Sequence, residues 1–318
     1  MQALTLSQGD LHFQKDYPSP KLEADEALIK VSLAGICATD LEIVKGYKGG
    51  FQGILGHEFV GVVAQAPDSS LIGKRVVGSI NIGCNRCATC YQHGPEHCPN
   101  RRVLGILKKD GAFADYLALP QSNLFAVPDE VSNETAVFTE PLAAALRIRE
   151  QIRVVPGAKT AVIGPGRLGM LVGQVLALDG TDVVMIGRGR RSLELPAKLG
   201  LSTGLTDDFS ENTFDTVVET TGNEAGFALA LKLVRPLGTL VLKSTFAGKA
   251  NLDLTKLVVA EINVVGSRCG PFAPALNLLK RDAIDVDSLI DGDYKFSQAI
   301  QAFTHASQRG VRKVLLHP

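Results

Sequence analysis

At 318 residues the chain is longer than one hydrophobic core ordinarily supports, so two domains are expected. Hydrophobic residues at 45% and charged residues at 21% are ordinary for a globular protein. Thirty-three basic residues balance 33 acidic ones, which argues against a nucleic-acid partner or an anionic membrane surface, since both attract a basic excess.

The opening MQALTLSQGDLHF has no charged-then-apolar leader pattern, and no run approaches the roughly 18 apolar residues of a membrane span. A cytoplasmic protein is therefore expected. Residues 27–33 (ALIKVSL) alternate, residues 59–64 (FVGVVA) are rich in β-branched side chains, and 75–80 and 112–119 look similar. Glycine and proline punctuate these runs, which predicts a small β-barrel or sandwich over residues 1–125. Residues 141–153 (PLAAALRIREQIR) change to a helical period, with Thr139 as N-cap and Pro141 at the first helical position.

From residue 160 onward strands and helices alternate. Strand 160–163 leads into a glycine loop and an apolar helix, then come strands 182–186 and 216–219, helix 225–234, and strands 239–242 and 263–265. That alternation predicts a parallel sheet covered on both faces, an α/β arrangement. The tail reads as helix 274–281, a polar stretch, helix 297–306 and a last strand 313–316.

Four of the six cysteines (Cys84, Cys87, Cys90 and Cys98) fall on one short loop. Closely spaced thiolates supply the four tetrahedral ligands of a structural Zn²⁺ at small cost in chain entropy. Two disulfides are the competing reading, disfavoured in a cytoplasmic protein. His93 and His97 on the same loop read as solvated, because four thiolates already complete a shell.

Gly164-Pro165-Gly166-Arg167-Leu168-Gly169 follows an apolar strand and opens an apolar helix, the setting in which G-x-G-x-x-G accepts a dinucleotide pyrophosphate. The NAD-type carboxylate about 20 residues further on is absent. Arg188 lies there instead, followed by Arg190 and Arg191. A guanidinium at that point pairs with a 2′-phosphate, so NADP is favoured over NAD, the alternative being an exposed basic turn without a ligand.

Gly35-Ile36-Cys37-Ala38-Thr39-Asp40, Gly56-His57-Glu58 and Glu140-Pro141 complete the set. Singly, Cys37 could be a small core residue, His57 and Glu58 a polar turn, and Glu140 a favourable first-turn acid. Taken in this order with the cysteine loop and the glycine loop, the sequence resembles the zinc-dependent medium-chain dehydrogenases, the superfamily of alcohol, sorbitol, threonine and glucose dehydrogenases. The resemblance implies a GroES-like catalytic domain over residues 1–141, to which 269–318 return, and an inserted Rossmann domain over 142–268. It implies Cys37 and His57 as catalytic-zinc ligands, with Glu58 and Glu140 as the carboxylates of the polyol, threonine and glucose branch, one direct and one through water. Asp40 corresponds to the carboxylate that orients the metal-bound histidine, and Thr39 to the hydroxyl that takes the substrate proton. A homodimer or homotetramer is the expected assembly.

Two departures from the family stand out. The residues after Thr39-Asp40 are Leu41-Glu42 rather than the histidine that many relatives use to pass the proton on, so Glu42 or water would take that role. Only twenty positions separate Cys37 from His57, which suggests a trimmed substrate loop over 41–55. Tyr47, Phe51 and Phe113 are pocket candidates, although such aromatics are more often core. The implied chemistry is hydride transfer between NAD(P) and an alcohol, polyol or sugar hydroxyl, with zinc as Lewis acid in a cleft between the domains. The rivals are a zinc-independent quinone or enoyl reductase of the same fold, which Cys37, His57 and the cysteine loop oppose, and a non-catalytic dinucleotide-binding protein.

Overall fold

The structure, a computed structural model, describes residues 1–47, 50–245 and 253–318. The chain divides into two units, one of Met1–Glu140 with Phe272–Pro318 and the other of Pro141–Pro271.

The first unit is mainly antiparallel sheet. Its longest strand, Glu26–Ile36, carries Tyr116–Pro120 along its first half and the C-terminal Lys313–His317 along its last three residues, with Glu58–Gln65 on its other side. A strand paired this fully is buried on both faces for most of its length, which is why its apolar alternation is imperfect. Outward from Glu58–Gln65 lie Arg75–Gly78 and Leu124–Ala126, and outward from Lys313–His317 lies Ile290–Lys295. Leu4, Ile29, Ile54, Phe113, Phe138 and Phe296 are among the fully buried side chains.

Several expectations about this unit change. An unanticipated hairpin, Ala3–Ser7 with Asp10–Gln14, turns through Gln8 and Gly9. Both have positive φ (53° and 91°), the requirement of a type I′ turn, but Gln-Gly lacks the Asn-Gly or Asp-Gly signature. The strand expected at 112–119 is Tyr116–Pro120, while Gly111, Ala112 and Phe113 instead hydrogen-bond the carbonyls of Ile54, Gly56 and Leu55. Phe113 is fully buried and packs edge-on to Phe303 at 5.8 Å, so it is a core residue and not a pocket wall. Thr139 is no N-cap: it is the first residue of the helix Thr139–Gln151, and its buried hydroxyl donates back to the Ala136 carbonyl at 2.7 Å. The polar stretch before the last helix holds the strand Ile290–Lys295.

The second unit is a six-stranded parallel sheet in the order Ser202–Leu205, Asp182–Gly187, Lys159–Ile163, Phe214–Glu219, Val234–Leu242, Asn263–Gly266. Numbered along the chain this is 3-2-1-4-5-6, the doubly wound dinucleotide-binding order, and the direction of winding reverses between Lys159–Ile163 and Phe214–Glu219. Ile163, Ile186, Val217 and Leu240 from the strands pack with Phe227, Ala230 and Leu231 from the helix Glu224–Leu233. Strand Ser202–Leu205 and helix Arg190–Lys198 were not anticipated: the strand is short and half exposed, and the helix contains Pro196. Among the described residues no helix is long and apolar enough to cross a membrane.

Candidate active site and metal centres

Sheet register brings the first constellation together. Gly35 pairs with Glu58, so Cys37, just past the end of one strand, meets His57 and Glu58 at the start of its antiparallel neighbour. One donor atom from each of Cys37, His57 and Glu58 lies within 4.8 Å of the others. Gly56, which leads into His57, has φ +94°, and a Cβ there would stand 2.6 Å from the Phe113 ring, so glycine is required where the strand begins.

Asp40 locks this junction. It is wholly buried; its Oδ2 accepts from the Cys37 backbone N–H at 2.8 Å and its Oδ1 from the Gly56 N–H at 3.3 Å. The same Oδ1 lies 3.2 Å from His57 Nδ1 but out of line for a hydrogen bond, which leaves that buried nitrogen unsatisfied. Burial by itself lowers the His57 pKa, yet the charges of Asp40 and Cys37 outweigh it and hold the imidazole well above its usual value. A pocket whose field favours a cation, lined by a thiol, an imidazole and a carboxylate, fits Zn²⁺ held by three protein ligands with a fourth position open. The hydroxyl of Thr39, in the first turn of the helix Ala38–Val44, makes no hydrogen bond among the described residues. Glu42 is ion-paired with Lys45 at 2.8 Å on an exposed face. Glu140 occupies the first turn of Thr139–Gln151 and is not one of the three clustered donors. Of the expected substrate loop 41–55, residues 48 and 49 lie outside the described residues.

Sequence reasoning missed Lys313. Its ammonium is ion-paired with the Glu58 carboxylate, both groups are buried, and it lies 5.3 Å from the Phe138 ring centre. A Cβ on Gly35 would come 2.7 Å from Glu58 Oε2 and 3.2 Å from Lys313 Cδ, so the missing side chain makes room for the pair. The available signal was parity: Lys313 shares a strand face with Leu315, which is buried.

The second constellation also assembles. None of the six cysteines is in a disulfide. Sulfur separations are 4.0 Å for Cys84–Cys90, 3.5 Å for Cys87–Cys90 and 3.9 Å for Cys87–Cys98. A tetrahedral zinc with Zn–S bonds of about 2.3 Å sets its sulfurs about 3.8 Å apart, so the thiols already have that spacing. The backbone N–H of Arg86 leads the contacts that pull the Cys84 thiol down to about 6, whereas burial and then Cys87 push Cys90 up to about 11. Thiols this crowded do not all ionise without a cation among them.

In the second unit Gly164, φ +98°, ends the first strand, and Gly166 precedes the helix Arg167–Leu178, whose N-terminus no side chain caps. Gly169 has no room for a Cβ, which would meet the Gly164 carbonyl oxygen at 2.0 Å. Leu168 is half-buried in the first turn. Arg188 follows the strand Asp182–Gly187, and Arg190 and Arg191 are the first two residues of the helix Arg190–Lys198. All three are exposed, and none is ion-paired among the described residues.

Known proteins resemble this chain over most of its length. The alcohol dehydrogenase GroES-like domain family matches residues 23–129, and the zinc-binding dehydrogenase family matches residues 168–281. The chain is 28% identical to D-arabinitol dehydrogenase 1 of Uromyces fabae, over 94% of this chain and 92% of that protein. It is 29% identical to sorbitol dehydrogenase of Halalkalibacterium halodurans, over 100% and 99%. Among solved structures, a zinc-binding dehydrogenase of Sinorhizobium meliloti bound to NADP is similar at 26% identity and a TM-score of 0.91, over 100% of this chain and 99% of that one. The alcohol dehydrogenase of Thermus sp. ATN1 is similar at 27% identity and a TM-score of 0.89, over 100% and 99%. With a GroES-like part, a Rossmann-like part and donors clustered for zinc, this chain belongs to the zinc-dependent medium-chain dehydrogenase superfamily and is an NAD(P)-dependent oxidoreductase.

Proposed function

We propose that the chain is a polyol dehydrogenase that uses two zinc ions and prefers NADP to NAD. The observation that carries this reading is the Cys37–His57–Glu58 cluster, His57 and Glu58 buried and Cys37 half-buried, with one donor from each residue within 4.8 Å of the others. Zinc held there would supply a Lewis acid for the alcohol oxygen. Asp40 orients His57 and holds the Cys37 and Gly56 backbones. The Thr39 hydroxyl, which makes no hydrogen bond among the described residues, takes the proton from the substrate hydroxyl. With Glu42 engaged by Lys45, the proton then leaves through water. NAD(P) held by the glycine loop would supply the hydride acceptor for the carbinol carbon, or the hydride donor for carbonyl reduction. Glu140 is the carboxylate that acts through water, since it stands outside the cluster.

Cys84, Cys87, Cys90 and Cys98 would hold the second, structural zinc. Residues 1–141 with 269–318 form the catalytic domain and 142–268 the coenzyme domain; Gly164, Gly166, Arg167, Leu168 and Gly169 receive the pyrophosphate. Polyols as the substrate class follow the names of the arabinitol and sorbitol dehydrogenase relatives. The NADP preference rests on Arg188, Arg190 and Arg191. Cations in the first turn of a helix oppose its dipole, a local cost that an anionic 2′-phosphate removes. A cytoplasmic homodimer or homotetramer completes the proposal.

The deciding experiment is a panel of polyols, aldoses, simple secondary alcohols and threonine, each assayed with NADP and with NAD. Turnover of polyols above the other classes is expected. Turnover confined to simple alcohols or threonine refutes the polyol assignment.

A further inference from the structure

The strands Lys159–Ile163 and Phe214–Glu219, between which the winding of the sheet reverses, end level with each other, Ile163 opposite Glu219. The first runs into the glycine loop. The second runs into Thr220, Thr221 and Gly222, which no motif had singled out, and Asn223 then caps the next helix through Gly226 N–H at 2.9 Å.

Thr220 joins the two loops. Its backbone N–H donates to the Ile163 carbonyl at 3.0 Å. Its hydroxyl oxygen lies 2.7 Å from the same carbonyl and 2.8 Å from that of Gly164. Both neighbours are acceptors only, so the one hydroxyl proton is shared between them. The Gly164 carbonyl also accepts from Gly166 N–H at 2.8 Å, so the oxygen that Thr220 holds is the one on which the glycine loop folds back. A Cβ on Gly169 would lie 2.8 Å from the Thr220 hydroxyl, which places that hydroxyl under the first turn of the helix Arg167–Leu178.

Thr220 is itself held in place. Glu219, fully buried, accepts through Oε1 from Thr221 N–H, from the Thr221 hydroxyl and from Gly222 N–H at 3.1 Å. The turn after the fourth strand is thus fixed by a carboxylate, and the turn after the first strand is fixed to it by a hydroxyl.

We propose that Thr220 is a positioning residue for the dinucleotide: its hydroxyl pins the Gly164 carbonyl and so presets the glycine-loop and helix amides that receive the pyrophosphate. The inference rests on the coenzyme reading of the glycine loop given above. A preset loop loses less conformational freedom when the ligand binds, so removing the tether weakens binding without touching a ligand contact. The pyrophosphate is common to NADPH and NADH, so both weaken together.

The test compares wild type, Thr220→Val, which keeps the shape and removes the donor, and Thr220→Ser, which restores the donor. The chain has no tryptophan, so NADPH and NADH are titrated through their own nicotinamide emission. Kd is measured well below the melting temperature of every variant, and zinc content is determined alongside. The valine variant is expected to raise the Kd of both dinucleotides about tenfold, equivalent to about 1.4 kcal/mol. Its kinetic loss falls mainly on coenzyme KM, its zinc content holds, and serine stays within about twofold of wild type. Should valine fail to fold, Thr220→Ala carries the same expectation. Wild-type Kd in the valine variant, or a serine variant as weak as valine, overturns the positioning role. Wild-type protein that binds neither dinucleotide overturns the coenzyme reading and this inference with it.

Discussion

Replacing Lys313 by methionine isolates the ion pair that lies against the candidate catalytic metal site. The Lys313 and Glu58 side chains are 3% and 1% exposed, so the carboxylate left behind gains almost nothing from water. Removing one partner of a buried pair costs about 3–5 kcal/mol, because the remaining charge stays desolvated and uncompensated. A unit of this size shifts by roughly 2–4 °C per kcal/mol, so the zinc-free variant should melt on the order of 10 °C below wild type. Glu58 is also one of the three clustered donors, so zinc bound there would supply the positive charge that the lysine no longer does. The deficit should therefore shrink markedly in the zinc-loaded protein. Thermal unfolding by circular dichroism, on variant and wild type with and without chelator, gives that double difference. The contribution of the cysteine lobe's zinc cancels between the two proteins. Equal deficits in both states would refute the argument that lysine and metal act on the same carboxylate, and no deficit in chelated protein would refute the burial argument itself. Lys313→Arg, which keeps the charge, should recover most of the loss.

Cys37→Ala should abolish turnover while leaving the melting temperature near wild type, whereas Cys90→Ala should lower the melting temperature or disrupt assembly, because a structural zinc contributes folding energy; zinc analysis should give two ions in wild type and one in each variant. Asp40→Asn keeps the shape but turns an NH₂ toward one of three nitrogens, His57 Nδ1 or the N–H of Cys37 or Gly56, and should weaken zinc binding about 10- to 100-fold in a chelator competition. Unchanged zinc affinity would mean that Asp40 serves the backbone alone. Arg188→Asp should lose about 1.5–3 kcal/mol of NADPH binding, roughly ten- to hundredfold, and reverse an expected wild-type NADPH preference of about tenfold in kcat/KM. A wild type that prefers NADH would make these arginines surface charges. Unlike Thr220→Val, this substitution should separate the two coenzymes.

How legible each feature was depended on how local its cause is. The four cysteines stand on one loop, and a loop of closely spaced thiols can build a tetrahedral site without help from the rest of the chain. The glycine loop was equally readable: Gly164 needs its positive φ and Gly169 its missing Cβ for reasons that lie within six residues. Strand edges were less so. The hairpin at Gln8-Gly9 carries a turn pair with a weak signature, and residues 111–113 look like a strand but give their hydrogen bonds to the segment 54–56.

The sequence by itself determined the parallel sheet of alternating strands and helices, the thiol cluster and the glycine loop, because periodicity and residue chemistry are written locally; Cys37, His57 and Glu58 stood out as candidate ligands only through the family resemblance. The tertiary structure decided which distant groups share those ligands. Lys313 reaches Glu58 across 255 positions because the last strand pairs beside Glu26–Ile36, and no local pattern encodes that pairing. Asp40 proved to hold the backbones on both sides of the Cys37–His57–Glu58 cluster, and Thr220 to tie one strand's loop to another's, for the same reason. A buried hydrogen bond or ion pair between segments far apart in the chain forms only where sheet register brings its two ends level.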